Sequence, residues 1–533
     1  MFNAKEARRL LAGLQKEDPF KELEDIASWL DTLKDAQGFR PEVRAEISML
    51  IDEAMQPLYA ELLKLYLGAP HLLDFKGKHL WQGLHRAMKT LAEAYTVCIQ
   101  EYPHVDKKSF DCRELMPVIC TRLLRAVAER MKLQLMHYVD IEQGIWDLLC
   151  SSYNFAEDNR IADRMIFAYP KQVIHTSPQR ELARALMLYV SSPGALAPDQ
   201  IEVSFRIAAR MIGFFDFRNT PDPDCGYCFD LAKPDAPRRV EANIRATPAM
   251  RFFGATKAVP KVADIIAHHE HGLIQKEQRF GSEFTPAGKL TVLKHLRAHW
   301  GKEQPHRHQE RRAIDTAIDV AHGFQTICKL VTRMDIDNAS NISEKDAEAL
   351  KQRSDINLAA VKDESDYSTE TWAVTDLSMD GIGGIVPSNR GSWVKIGDLC
   401  ALKPGNSPVW WIGVIRRLHG DPKGAVHVGI ETLAKKPLSV WLRILGKGVE
   451  KVSDWETSSS SFEYDYLPAI LLPDASNSFA NATMLMESGR YVPDTIYEVM
   501  LGEKSRNIKL AELLFEGEDY EQIKFHWLRA AHS

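Results

Sequence analysis

No uninterrupted apolar run in the chain approaches the roughly 20 residues that a transmembrane helix requires, so membrane insertion is not expected. The stretch from Met1 to Lys16 is charged and amphipathic and lacks the apolar centre of a signal peptide. A cytoplasmic protein is the expectation. Cysteine is scarce, 8 in 533 residues, and scattered, with Cys98, Cys120 and Cys150 in apolar helical contexts that suit reduced, buried thiols. Cys225-Gly226-Tyr227-Cys228 is a lone C-x-x-C. Zinc needs four ligands, and no second pair follows at finger spacing. His268-His269-Glu270-His271 lacks the H-E-x-x-H spacing of a metalloprotease helix. Also missing are a phosphate-cradling G-x-x-x-x-G-K-[ST], a dinucleotide fingerprint and a nucleophile elbow. No catalytic residue, metal or cofactor is therefore expected, and the chain does not read as an enzyme. Nor is there an excess of positive charge. The net charge of −6 argues against DNA or RNA as a bulk partner, while leaving room for a local basic pocket.

What the chain does have is a division. Up to about Gly213 the pattern is helical. Ile47, Leu50, Ile51, Ala54, Leu58, Leu62 and Leu65 recur at helical steps, with Gly68 as a stop and Pro57 predicting a kink or break. Ser177-Pro178 forms a cap and first-turn pair, and Pro198-Asp199 opens a further helix. Residues 214–260 carry Pro221, Pro223, Pro234 and Pro237 and read as a long irregular connection, with one short strand near Tyr227 to Leu231. Helical periodicity returns from about Lys261 to Trp300.

After Arg312 the pattern changes. Seven of the 11 tryptophans lie beyond Thr371, and β-branched and aromatic residues cluster in short runs bounded by Gly and Pro. Trp410 to Arg416, Ala425 to Ile430, Val440 to Leu445 and Ile523 to Trp527 are strand-like. The expected fold class is α+β multidomain: a helical domain (1–213), an irregular connection plus helices (214–302), a small β-barrel (303–435) with a polar insertion at about 335–367, and a β-rich C-terminal extension (436–533). The extension could build a second barrel or enlarge the first.

Two phrases carry chemistry. His306-Arg307-His308-Gln309-Glu310-Arg311-Arg312 places two arginines four apart. Asp376-Leu377-Ser378-Met379-Asp380-Gly381 follows an apolar strand and supplies a carboxylate, a hydroxyl and a glycine. A forked guanidinium meets guanine O6 and N7, or a phosphate, through two hydrogen bonds. A carboxylate accepts from guanine N1–H and N2–H, and a glycine lets the backbone approach a base. Taken alone, the arginines could be a solvated helix face and the second phrase an ordinary turn.

With Gly397-Asp398-Leu399 and Val428-Gly429-Ile430-Glu431 downstream, the order of these pieces resembles the PilZ domain family, small β-barrels that bind cyclic di-GMP. The resemblance covers about Glu303 to Leu433. It implies a bacterial second-messenger receptor in which Arg307 and Arg311 grip phosphate and guanine, Asp376 and Ser378 read a guanine edge, and Gly381 allows close approach. His306 and Arg312 would assist. It implies cyclic di-GMP as the ligand and the helical half as the module that meets a protein partner. Arg311 and Asp376 are 65 positions apart, more than is usual in the family. The polar insertion absorbs the excess, because a long surface loop adds little closure entropy. The competing expectation is a helical scaffold whose barrel is purely structural.

Overall fold

The computed structural model describes the chain except residues 1–2, 15–17, 69–74, 105–109, 171, 276–277, 304–311, 340–368, 388–390, 392, 406, 422, 446–466, 475, 477, 502–503 and 529–533. The chain separates into two compact units, residues 1–307 and 308–533.

Among the described residues the first unit holds ten α-helices: α1 (Ala4–Ala12), α2 (Pro19–Asp35), α3 (Pro41–Leu67), α4 (Phe75–Glu101), α5 (Phe110–Met136), α6 (Gln143–Asp158), α7 (Pro178–Val190), α8 (Pro198–Met211), α9 (Val259–Glu270) and α10 (Pro286–Trp300). Local signals set several ends. Ser177 caps α7 by accepting from the Arg180 N–H, and Pro178 occupies the first turn, where no amide donor is needed. α3 ends before Gly68. Pro57 does not break α3, contrary to the expectation from its ring. Ile51, Met55, Tyr59, Leu62 and Leu63 are buried on both sides of it, and that burial outweighs the cost of about 3 kcal/mol for an interior proline.

Residues 214–260 carry the expected short strand near Tyr227 to Leu231 and three more that the sequence reading did not give. Four short strands, β1 (Asp216–Arg218), β2 (Tyr227–Asp230), β3 (Arg238–Arg239) and β4 (Met250–Gly254), pair antiparallel in the order β1-β4-β2-β3. Tyr227, Phe229 and Phe253 join the helical core, while Cys225 and Cys228 pack with Met250 and Phe252 on the other side. Burial pushes the Cys225 thiol up to about 12 and raises Cys228 too, so neither is poised as a reactive thiolate.

α5 runs through the core of this unit carrying charge. Arg122, 2% exposed, donates from Nε to the Ala168 carbonyl (2.6 Å) and from Nη2 to Glu53 (2.7 Å). Its Nη1 lies 3.5 Å from the fully buried Asp52, and the Tyr169 ring lies under the guanidinium. Asp52 also accepts from the Tyr95 hydroxyl at 2.7 Å. Burial raises the Asp52 pKa and Arg122 opposes that rise. One turn along, Arg125 holds Glu181 bidentately; burial pushes that carboxyl up, but Arg125 outweighs it and keeps the group at about 2. Lys132 then sits 2.5 Å from both Glu129 and Glu202.

The second unit contains two closed barrels of six strands. The first is formed by β5 (Arg312–His322), β6 (Glu370–Leu377), β7 (Gly381–Val386), β8 (Leu399–Pro404), β9 (Trp411–Gly420) and β10 (Val426–Ala434), closing in the order β10-β7-β6-β5-β8-β9. The second is formed by β11 (Leu438–Leu445), β12 (Leu467–Leu472), β13 (Thr483–Glu487), β14 (Ile496–Leu501), β15 (Lys504–Glu516) and β16 (Tyr520–Trp527). The C-terminal extension thus makes its own barrel. Closure removes the unpaired edges that an open sheet of such strands would expose.

At the start of β6 the buried Glu370 accepts from the indole N–H groups of Trp372 (2.8 Å) and Trp393 (3.1 Å). A helix, α11 (Phe324–Ala339), follows β5 and packs between the barrels. Its first amide, on Phe324, donates to Asp519 (2.6 Å), on the turn before β16. The polar insertion was expected to begin near Asp335. In the structure Asp335 is instead part of this packed helix, with Leu330, Val331 and Met334 buried beside it. Residues 340–367 of the insertion lie outside the described residues.

Asp335 accepts the Ser439 N–H of β11 at 2.8 Å, and burial pushes its carboxyl up to about 7. A folded-state value above the unfolded one means stability is greatest below about pH 4 and is lost as the pH rises through about 7. Asp335→Asn keeps an acceptor for Ser439 and removes the ionisation. The variant is expected to be more stable than the parent at pH 8, by on the order of 2 kcal/mol, with the gap closing at pH 4–5. Urea denaturation of both proteins at the two pH values checks this, and a pH-independent difference would contradict it.

Candidate functional site

The D-x-S-x-x-G phrase forms the hairpin between β6 and β7. The Ser378 amide donates to the Gly381 carbonyl at 2.8 Å, and the Ser378 hydroxyl donates to the same oxygen at 3.2 Å. Met379, 70% exposed, forms the tip. The Thr432 amide, on β10, donates to the Asp380 carbonyl at 3.0 Å and ties the tip to the barrel.

Asp376 stands on the outer face of the barrel. Along β6, Glu370, Trp372 and Val374 point inward, and plain alternation would send Asp376 the same way. A β-bulge between Val374 and Asp376 interrupts the alternation. Asp376 then pairs with Gly383, and its carboxylate covers that glycine: a Cβ at 383 would lie 2.4 Å from Oδ2 and 2.7 Å from the carboxylate carbon. Thr375 donates its hydroxyl to Oδ2 at 3.4 Å.

The glycine under the carboxylate is therefore Gly383, not Gly381. Gly381 instead fits close to the Ile430 carbonyl, 3.0 Å from where a Cβ would stand. Gly383 pairs across the ladder with Gly429 of β10. Two adjacent glycines thus make a low floor, Gly383 buried beneath the Asp376 carboxylate and Gly429 partly exposed beside it. The floor is the part that motif reading missed; its signal was Gly381-Ile382-Gly383-Gly384 together with Val428-Gly429-Ile430.

Gly383→Ala separates site from fold. The added methyl displaces the end of one short side chain rather than backbone, so the thermal midpoint should move by only a few degrees. The Asp376 carboxylate must swing away, and any ligand that this carboxylate holds is expected to bind about 10-fold more weakly. Unchanged affinity in a titration would show that the carboxylate's position is irrelevant.

Arg312 is the first residue of β5, exposed, and lies opposite Leu377, with Ala313 opposite Asp376. β5 and β6 are thus direct neighbours despite the long stretch of sequence between them. His306, Arg307 and Arg311 lie outside the described residues. Gly397-Asp398 belongs to the joint between barrels and not to this face. The Gly397 carbonyl accepts the Tyr520 hydroxyl at 3.0 Å, and Gly397, at φ +95°, packs against Phe515. Glu431 of the fourth phrase pairs with Arg416 at 2.6 Å. Among the described residues no three His, Cys, Asp or Glu side chains gather as a metal site, and no helix is long and apolar enough to cross a membrane.

Residues 5–222 match the family model described as "Cyclic-di-GMP receptor FimW, N-terminal domain", and residues 456–528 match "FimW C-terminal beta-barrel domain". The two matches stand in that order and together take in more than half of the chain. The chain belongs to the FimW family of cyclic di-GMP receptors. The FimW models account for the helical part up to the first small strand and for most of the second barrel, β12 to β16. The family is one of receptors, not enzymes, in agreement with the missing catalytic motifs. The first barrel, with Asp376 and the glycine floor, falls between the two FimW matches. No curated protein matches the chain. A solved structure described as "MrkH, A novel c-di-GMP dependence transcription regulatory factor" aligns with 31% of this chain and 75% of its own, at 7% identity and a TM-score of 0.13. So weak a likeness carries no argument.

Proposed function

We propose that this chain is a cytoplasmic bacterial effector that binds cyclic di-GMP on the outer face of a PilZ-like first barrel. Asp376 accepts from a guanine Watson–Crick edge, Ser378 and Gly381 shape the hairpin beside it, and Arg307 and Arg311 grip phosphate and the other guanine edge. The observation that supports this most is the Asp376 carboxylate on the outer face of the barrel, seated over Gly383 and beside the partly exposed Gly429. The register helps too. Arg311 directly precedes Arg312 in the sequence, and Arg312 is paired with Leu377 of the D-x-S-x-x-G strand. Five residues of fully extended chain span at most about 18 Å, which limits how far the Arg307 backbone can lie from that of Arg312.

Bound dinucleotide draws the arginine segment onto the barrel. That segment joins the two compact units, so ligand changes the preferred arrangement of the helical unit and its availability to a protein partner. A ligand does this only through different affinities for the two arrangements.

Calorimetry of the full chain with cyclic di-GMP tests the reading. Binding should weaken by about 10- to 100-fold in Asp376→Ala, and less in Ser378→Ala. A neutral hydroxyl contact contributes about 1 kcal/mol against about 1.5–3 kcal/mol for a charge-assisted one, and the Ser378 hydroxyl is already engaged with Gly381. No heat with the parent protein at high ligand would leave the first barrel as a structural element. A larger loss for Ser378→Ala would overturn the assignment of roles.

A further inference from the structure

The first unit contains a cavity of about 150 Å³ between the start of α7 and the chain that leaves α8. Gln179, Arg180 and Ala183 form one wall, three residues on one helical face at steps of three and four. Ile212, Phe215 and Phe217 form the other, and Gly213 beside them faces open space where a side chain would stand. Phe215 and Phe217 fall on the same side of the extended chain because they are two positions apart. Asp216, between them, does not line the cavity and is held by Lys257 at 2.6 Å.

The rings do not collapse into the space. Phe215 packs edge-to-face with Trp300, ring centres 5.2 Å apart, and Phe217 does so with Tyr153 at 5.6 Å. Such contacts hold each ring where it stands.

Arg180 brings the charge. Its Nη1 donates to the His175 carbonyl at 3.4 Å, and among the described residues it has no ion pair. The neighbouring carboxylate, Glu181, is taken by Arg125 and Arg184. A guanidinium is a planar fork of N–H donors, so most of those on Arg180 remain for a ligand. The amides of the first turn of α7 are already engaged. Those of Gln179 and Arg180 donate to the Ala162 carbonyl (2.9 Å) and the Ser177 hydroxyl (3.3 Å). Recognition at the polar wall therefore falls to the side chains of Arg180 and Gln179.

Size narrows the ligand. An apolar core cavity of about 150 Å³ takes a single benzene ring, and drug-sized molecules need about 300 Å³ or more. A cyclic dinucleotide does not fit. Phenyl rings on one side and a guanidinium with an amide on the other suit a small anion with a compact apolar body. We infer that this cavity binds a small carboxylic acid carrying one ring or a branched hydrocarbon group, with its carboxylate on Arg180 and its body against Phe215 and Phe217. The site lies within the helical unit and does not depend on dinucleotide binding at the first barrel. Its walls come from α7 and from the chain between α8 and the small sheet, so a bound acid ties these elements together and raises the thermal midpoint of the unit.

Saturation-transfer NMR on the full chain, with phenylacetate as the probe, tests this. A dissociation constant of roughly 0.1–5 mM is expected, in keeping with a ligand of about ten heavy atoms. Benzylamine, a similar ring with the opposite charge, should bind at least about 10-fold more weakly. Arg180→Met keeps the apolar stem and removes the fork; phenylacetate affinity should fall about 10-fold or more while the unliganded midpoint stays with the parent. Ala183→Leu puts a larger side chain into the cavity and should abolish the signal without lowering the midpoint. No transfer to phenylacetate at about 10 mM with the parent protein would overturn the inference. So would equal binding of benzylamine, or phenylacetate binding unchanged in both variants, because the acid would then sit elsewhere. If Ala183→Leu fails to fold, Arg180→Met and the benzylamine comparison decide the matter without it.

Discussion

Cyclic di-GMP binding is expected to fall at least 100-fold when Arg307 and Arg311 are both replaced by alanine. In the proposed roles each guanidinium would supply charge-assisted hydrogen bonds worth about 1.5–3 kcal/mol. Two such losses correspond to a factor of about 10² to 10⁴. The fold should not register the change, because both residues precede Arg312, the first residue of β5. Thermal midpoints should stay with the parent while the titration flattens. Lysine at both positions should restore little, since a point charge does not present the planar fork that phosphate and the guanine edge accept. Affinity of the parent should also decline with added salt, more steeply than in the double variant. A double variant that binds within a few-fold of the parent would remove the arginine segment from the site.

The second large effect belongs to the helical unit. Arg122→Met should destabilise it by about 3–5 kcal/mol, the usual cost of removing one partner from a buried ion pair. Methionine fills similar volume, so the loss is electrostatic. Asp52, fully buried, would keep its Tyr95 and Gln56 hydrogen bonds but lose the cation opposing its burial. Its folded pKa, already raised by burial, would rise further. Stability from such a group is present below the unfolded carboxyl value and lost as the pH climbs through the folded one. The variant should therefore be least stable near pH 8 and partly recover toward pH 5. Adding Asp52→Asn should recover most of the loss at pH 8. Urea denaturation followed by the helical circular dichroism signal reads both effects. An equal cost at both pH values, with no recovery in the double variant, would show that the guanidinium matters only for packing.

Much of the architecture could be read from periodicity. The Ser177-Pro178 start of α7, the stop at Gly68, and the strands around Trp411, Val426, Leu438 and Tyr520 are short-range features. Capping and alternation express them within a few residues. The four-stranded sheet at 216–254 was not legible. Its strands are two to five residues long, embedded among prolines, and exist only because residues far apart pair. Pro57 misled for a related reason: the packing that carries α3 past it comes from other helices.

At the candidate site, residue types were readable and their facing was not. The D-x-S-x-x-G order put a carboxylate, a hydroxyl and a glycine at the end of a strand. Only the bulge at Val374/Asp376 turns that carboxylate outward, and only the ladder register shows that Gly383 and Gly429 adjoin. Bulges follow from how two strands fit each other, so one strand's sequence does not declare them. The pairing of β5 with β6, by contrast, is what the long separation between the two motifs left open.

The apolar contact between the barrels has a practical bearing on how this protein can be dissected. Leu399, Ala401, Ile412 and Val414 turn one side of the first barrel toward α11 and toward Ile470, Leu472, Leu485 and Tyr520 of the second. A chain truncated after Ala434 would present that oily flank to water and invite clumping. Each barrel works as the other's lid against solvent, and a ligand-binding fragment should therefore begin before β5 and run to the last strand.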